Sequence, residues 1–260
     1  MSGLKYLMPA ALVRLWEFQQ RFRTMGLPEN WARSQKYRKA LDMSEIELIP
    51  AASIPTLKCV VDVGANLGEW SIGIALLTRA KEIIAYEPVP QLFEQLQNKV
   101  KPYPQIRCVN CSVGATVGQV EINVHQRHQL SSVLMIQDEA RRVHGMEQDV
   151  AVPVCVPLTT LDEDLRDRTE ISLLKIDVQG YEPQVLEGAR AILKRTEVLM
   201  MEVTYSSYYQ GDMQFADLHR LVTSIAPFRL WGISAPHCAP SGKPMWADAV
   251  YVRVDKFLGG

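Results

Sequence analysis

From Lys58 onward, short apolar runs alternate with stretches whose apolar residues recur every three or four positions. Side chains alternate across a strand and repeat at about 3.6 residues in a helix, so this rhythm predicts β and α units in turn. That is the signature of a parallel sheet covered on both faces. KCVVDV reads as the first strand, GEWSIGIALLTRA as a helix and EIIAYE as the second strand. PQLFEQLQNKV follows as a helix with Leu92, Phe93, Leu96 and Val100 on one stripe, and then IRCVN as the third strand. Residues 114–170 break the rhythm: GATVGQVEINV and DVAVPVCVPL predict added antiparallel strands around a polar middle, a β insertion in the parallel scheme. The pattern resumes with ISLLKID and a helix from Pro183 to Leu193, buried through Val185, Leu186, Ala189, Ile192 and Leu193. EVLMMEV, a helix near Phe215 to Ile225, the strand FRLWGIS and a closing antiparallel strand ADAVYVRV complete the domain. The expected organisation is an N-terminal helical cap over 1–57 and an α/β domain over 58–260.

Composition narrows the class. A chain of 260 residues with 47% apolar content is ample for a core, and 28 basic against 29 acidic residues give no electrostatic reason to expect nucleic acid as a partner. Five cysteines, an odd number at irregular spacing, argue for a reducing, cytoplasmic setting. LKYLMPAALVRLWEF is interrupted by Lys5, Pro9, Arg14 and Glu17, so no membrane insertion is expected, and its apolar spacing suggests a helix lying on the main domain.

The chemistry starts at VVDVGANLGEW, where an apolar strand runs through Asp62 into a turn nearly free of side chains. Such a turn, followed directly by a helix, brings backbone amides and the positive end of the helix dipole close to a ligand. Gly64 and Gly68 stand in D-x-G-x-x-x-G rather than the G-x-G-x-x-G of pyrophosphate sites, and the P-loop lysine is missing. An acidic strand end repels a diphosphate and suits a cationic sulfonium, so the cofactor inferred is S-adenosylmethionine, held over Asp62, Gly64, Ala65, Asn66 and Gly68. Glu87 ends the second strand, where an acidic side chain accepts hydrogen bonds from ribose hydroxyls. Asn110, Cys111 and Ser112 follow the next strand and are expected to line the adenine pocket. CVNC and HQRH superficially resemble a zinc finger, but the two-residue gap between His125 and His128 is too short and Cys108 and Cys111 close a parallel strand, which argues against zinc.

In LLKIDVQGYE, Lys175 and Asp177 interrupt a buried strand on one face. Charges are buried only when paired or used, which makes Asp177 the first catalytic candidate, with Lys175 one layer deeper. Glu202 ends the neighbouring strand and is expected to face the same crevice, sharing a proton, Lys175 or a Mg²⁺ ion with Asp177. Glu182 opens the following helix, where capping is the plainer role. Tyr205, Tyr208, Tyr209, His237 and Trp246, in two loops beyond the strand ends, are expected to offer stacking surfaces to a substrate.

DVGANLG, YEP, LLKIDVQGYE, VLEGA and MEV, in this order over residues 58 to 254, resemble the FkbM-type S-adenosylmethionine-dependent methyltransferases. The resemblance implies the class I methyltransferase fold, Rossmann-like, with a seven-stranded sheet and helices on both faces. It implies O-methylation of a hydroxyl on a small molecule, such as a secondary metabolite or sugar, with Asp62 to Gly68 at the methionine end, Glu87 at the ribose and Asp177 at the acceptor side. Gln179 stands where the family pattern K-I-D-V-E-G has Glu. Competing readings are an NAD(P)-dependent oxidoreductase, which shares the strand, glycine turn and acid, and a catalytically silent scaffold.

Overall fold

A computed structural model describes residues 48–257 apart from 51–52, 54–56, 79, 144 and 147; the expected N-terminal cap lies almost wholly outside the described residues. The main sheet is built from β1 (Cys59–Val63), β2 (Glu82–Tyr86), β3 (Ile106–Val109), β7 (Ile171–Ile176), β8 (Thr196–Thr204), β9 (Phe228–Ile233), β10 (His237–Cys238) and β11 (Pro244–Arg253). Its order is β3-β2-β1-β7-β8-β11, with β9 and the two-residue β10 both pairing β11. The first five are parallel neighbours, and β11 runs antiparallel to β8 and β9. Seven full strands therefore stand in the expected arrangement, and β10 makes an eighth.

Crossover helices cover both faces: α1 (Glu69–Leu77) and α2 (Pro90–Val100) on one, and α5 (Glu182–Glu187), α6 (Arg190–Leu193) and α7 (Phe215–Ile225) on the other. Strand alternation sorts the core. Val61, Val63, Leu174 and Ile176 pack under α5–α7, whereas Val60, Ile83, Leu173 and Met200 pack under α1 and α2. Each fully buried aliphatic side chain contributes about 1.5–3 kcal/mol. Leu92, Leu96 and Val100 form the buried stripe of α2, with Phe93 at its border.

The single helix expected over Pro183–Leu193 is instead two, broken at Gly188. A Cβ at Gly188 would lie 1.9 Å from the Gly114 carbonyl oxygen, so the chain is held there by a distant contact that helical periodicity does not carry. Asp162, in the short helix α4 (Leu161–Asp164), then caps α6 by accepting from the Ala191 and Ile192 amides at 2.8–3.0 Å. The five predicted core residues of this stretch remain buried through the break.

A second sheet, β4 (Ser112–Val113), β5 (Gly118–Val124) and β6 (Val152–Thr159), has order β4-β6-β5. β5 and β6 pair antiparallel as the pattern suggested, and β4 adds a parallel pairing at the end of the third-strand loop. Between β5 and β6 run a 3-10 turn, His128–Leu130, and the helix α3 (Asp138–Val143).

The carboxyl ends of β1 and β7 meet closely. The Asp177 amide donates to Val63 O at 3.0 Å, and Gly64, at φ 85°, passes so near that a Cβ there would sit 1.9 Å from Asp177 O. Gly64→Ala adds left-handed strain to a backbone clash and should cost about 2–4 kcal/mol of stability, read from the urea midpoint.

Candidate functional site

The turn after β1 does not present bare amides to a ligand. The Gly64 and Ala65 amides donate to Tyr86 O (3.1 and 2.8 Å), the Gly68 amide to Ala65 O (2.8 Å) and the Asn66 amide to Glu87 Oε2 (2.9 Å). The turn is thus locked to the end of β2, and what it offers is a glycine surface and the Asn66 side chain, whose Oδ1 is buried without a partner. Asp62 lies beneath the turn, fully buried, with Ser71 Oγ donating to its Oδ2 at 2.6 Å. Burial raises its pKa, against the opposing pull of Lys175 and Ser71. Ala65 belongs to the apolar core, and Gly68 packs on α2, where a Cβ would meet Leu96 at 2.5 Å. Asp62, Ala65 and Gly68 therefore shape the turn from behind.

A cavity of about 130 Å³ opens at the strand ends, and its walls include Gly64, Asn66, Glu87, Cys111, Ser112 and Asp177. The ends of β1, β2, β3 and β7 converge on it, as an open parallel sheet requires of its ligand crevice. Glu87 is 4% exposed, and its Oε1 accepts from the Val89 amide at 2.9 Å. Desolvation pushes its pKa up to about 7 against these two amide bonds. Asn110 braces the same corner from outside the cavity wall, donating to Glu87 O and Pro88 O at 2.8 and 3.0 Å.

Lys175 and Asp177 form an ion pair, Nζ to Oδ2 at 2.9 Å, and the ammonium stands 5.7 Å from the Trp70 ring centroid. Burial works against the Asp177 charge, but Lys175 and the Gln179 amide (Nε2 to Oδ1, 2.8 Å) outweigh it and hold the carboxyl below its ordinary pKa. Gln179 Nε2 also reaches Glu202 Oε2 at 3.5 Å, and its Oε1 accepts from Tyr209 Oη at 3.0 Å. A neutral amide at 179, in left-handed conformation at φ 57°, thus bridges two carboxyl groups where a third carboxylate would repel them. Glu202 faces Asp248 across β8 and β11; burial, then Asp177, Glu182 and Asp248, push its pKa well above the usual range. Glu202 adjoins Asp177 as expected but is not part of the cavity wall.

The aromatic loop residues stand apart from this cavity. None of Tyr205, Tyr208, His237 and Trp246 lines the cavity that Asp177 borders. Tyr208 and Tyr209 are buried with Ile136, Met146 and Met245, because their rings fill the space over the ends of β8 and β11. Tyr205 packs on Phe215 at 6.0 Å, and His237 stacks on Trp246 at 3.6 Å. The far wall comes instead from β5 and the turn after it: Ile122, His128, Gln129 and Ser131–Val133. Ser132 Oγ ties this wall to the Asp177 turn through Gln179 O (2.7 Å), and His125 Nδ1 meets Asp149 Oδ2 at 2.7 Å behind it. The signal in the sequence was a His and two Ser in a polar run directly after an alternating strand.

A Mg²⁺ ion between Asp177 and Glu202 does not fit. Both Asp177 oxygens are already engaged by Lys175 and Gln179, and the Gln179 amide reaches across to Glu202, whereas Mg²⁺ takes several free anionic oxygens in octahedral geometry. Among the described residues no group of three or more His, Cys, Asp or Glu could hold a metal, and no helix is long and apolar enough to cross a membrane.

A parallel sheet in this order, closed by an antiparallel strand beyond β8 and opening a cavity at the ends of β1, β2 and β7, defines a class I, Rossmann-like methyltransferase fold. The chain belongs to the FkbM methyltransferase family: the model described as Methyltransferase FkbM domain matches residues 62–229. Methyltransferase sdnD of Sordaria araneosa is 27% identical over 161 residues, covering 53% of this chain and 62% of that protein. Methyltransferase 1 of Beauveria bassiana is 22% identical over 150 residues, covering 53% of this chain and 60% of that one. The chain thus spans less than two thirds of either relative's length. The crystal structure of Methyltransferase FkbM from Methylobacillus flagellatus KT superposes with a TM-score of 0.50 at 19% identity, covering 74% of this chain and 43% of that chain, a likeness of fold.

Glu182 gives the site a pH signature. It is buried, its Oε1 accepts from the Val178 and Gly180 amides (3.1 and 3.2 Å), and desolvation carries its pKa to about 7. A raised folded-state pKa means the native protein binds more protons than the unfolded chain between about pH 4.5 and 7, so stability falls as pH rises through that window. Glu182→Gln should flatten part of that fall, measured as the difference between urea midpoints at pH 5 and pH 7.5.

Proposed function

We propose that this protein transfers the methyl group of S-adenosylmethionine to a hydroxyl oxygen of a small molecule. One observation carries the reading: the glycine turn of β1, the acidic end of β2 and the Lys175-paired Asp177 after β7 border a single cavity. The residues present suit the cofactor. Gly64 keeps the wall free of a side chain, Asn66 Oδ1 awaits a donor, and Glu87 can accept from ribose hydroxyls through its remaining lone pairs. When bound, the cofactor supplies an already activated sulfonium methyl.

The protein's own contribution is then position. Holding an acceptor oxygen in line with the methyl carbon can account for about 7–11 kcal/mol of the barrier. Asp177, kept ionised by Lys175 and Gln179, is suited to accept a hydrogen bond from the acceptor hydroxyl and so orient it. The polar wall of Gln129, Ser131, Ser132 and Gln179 favours a hydroxylated acceptor of small size, and the near-neutral charge balance gives no support to a nucleic-acid partner.

Isothermal calorimetry separates this reading from a nicotinamide enzyme: S-adenosylhomocysteine should bind and NADH should not. Glu87→Ala should weaken S-adenosylhomocysteine about tenfold or more. Asp177→Asn should leave that affinity within about threefold while transfer from tritium-labelled S-adenosylmethionine to a panel of hydroxylated metabolites falls about 10²-fold or more. Unchanged transfer would remove Asp177 from the mechanism, and absence of transfer by the native protein to any panel member would favour a silent scaffold.

A further inference from the structure

Resting on the methyl transfer proposed above, the remaining question is what charge of acceptor the strand-end carboxyl groups admit. Asp62, Asp177, Glu182, Glu202 and Asp248 act on one another around Lys175. Such an excess of acid would by itself draw a cationic ligand. We propose that Gln179 determines specificity by filling the cation slot between Asp177 and Glu202 with its own amide, so that an uncharged hydroxyl acceptor is admitted and an ammonium-bearing one is turned away.

The geometry of the amide carries this. Gln179 Nε2 lies 2.8 Å from Asp177 Oδ1 and 3.5 Å from Glu202 Oε2, the place where an ammonium would meet both carboxyl groups. Its orientation is set at both ends. An ionised Asp177 can only accept, so the nitrogen faces it, and Tyr209 Oη donates to the amide oxygen at 3.0 Å. The main chain is equally fixed, since Ser132 Oγ donates to Gln179 O at 2.7 Å and the residue holds φ 57°. Gly180 then packs so close to Tyr209 that a Cβ would meet its ring at 2.9 Å. Gln179 can leave the slot only by breaking its bonds to Asp177, Tyr209 and Ser132.

What remains open suits a neutral donor. Asp177 Oδ2 is paired with Lys175, yet the Asp177 side chain is 33% exposed and borders the cavity. A hydroxyl brings one proton and no charge, which the free lone pairs of Asp177 can accept. An ammonium brings a full charge beside Lys175, whose own charge already balances Asp177, and it finds the gap toward Glu202 occupied. Its lost hydration then goes uncompensated. A carboxylate is opposed by Asp177 itself. Selectivity of this kind rests on what the site repels as much as on what it binds.

The test uses two variants: Gln179→Gly, which empties the slot and accepts the left-handed backbone, and Gln179→Glu, which keeps the length and adds a charge. The probe is methylammonium, titrated at constant ionic strength into the S-adenosylhomocysteine complexes and read by carbon NMR of labelled aspartate, with the Asp177 signal assigned by its loss in Asp177→Asn. The native signal should stay in place, and in both variants it should move saturably. With the acceptor found in the tritium panel, the inhibitor is the amine carrying an ammonium in place of the methylated hydroxyl. Its Ki for the native protein should stand about 10²-fold above the acceptor's KM, and that ratio should fall about tenfold or more in both variants. A purely structural lesion would raise Ki and KM together and leave the ratio unchanged. An unchanged ratio, a native Asp177 signal that methylammonium moves as readily as the variants', or loss of S-adenosylhomocysteine binding in both variants would overturn the assignment while leaving the methyltransferase reading intact. Failure of the native protein to bind S-adenosylhomocysteine at all would instead defeat that reading, and the assignment with it.

Discussion

The structure is organised by the approach of two strand ends, where the glycine turn of β1 lies directly against the carbonyl of Asp177 at the end of β7. Parallel pairing of Val63 with Ile176 brings the two chains out of the sheet side by side, and the absence of a side chain at Gly64 lets them stay together. From that contact follow the direction in which Asp177 leaves the sheet, the width of the cavity mouth and the reach of Gln179 toward Glu202. The neighbouring strand is drawn into the same frame, because the Gly64 and Ala65 amides are fastened to Tyr86 O and the Asn66 amide to Glu87.

Electrostatics at this edge is a problem of excess acid. Asp177, Glu182, Glu202 and Asp248 influence one another near the ammonium of Lys175, and Asp62 lies on the same face beneath the turn. Several like charges in a poorly solvated space cannot all ionise. The arrangement resolves this unevenly: Asp177, with the lysine and an amide, keeps its charge, while Glu202 and Glu182 are driven toward their neutral forms. Gln179 belongs to that resolution, since it supplies a donor to both flanking carboxyl groups without adding another negative charge.

Much of the architecture was legible because strands and helices impose different periods on apolar residues. KCVVDV, EIIAYE, PQLFEQLQNKV and the segment Phe215–Ile225 became elements near their expected bounds, and residues placed at strand ends by pattern alone, Gly64, Glu87 and Asp177, came to border one cavity. What the pattern did not carry was contact between distant segments. The break at Gly188 depends on the Gly114 carbonyl, 74 positions earlier, and the burial of Tyr208 and Tyr209 depends on Ile136 and Met146 from the polar middle. The packing of the loop aromatics was hidden for that reason, and the cavity wall formed by His128, Gln129 and Ser131–Val133 lay in a run without periodicity.

The internal bonding of the β1 turn bears on how a ligand would be received. Ordering a backbone residue costs roughly 1–2 kcal/mol, and here folding itself has already confined the stretch from Gly64 to Gly68 through its ties to Tyr86 and Glu87. An incoming molecule would meet a rigid ledge instead of a strap that must close around it, so recognition at this end of the crevice is governed by shape and by side-chain donors and acceptors, with little contribution from mainchain rearrangement.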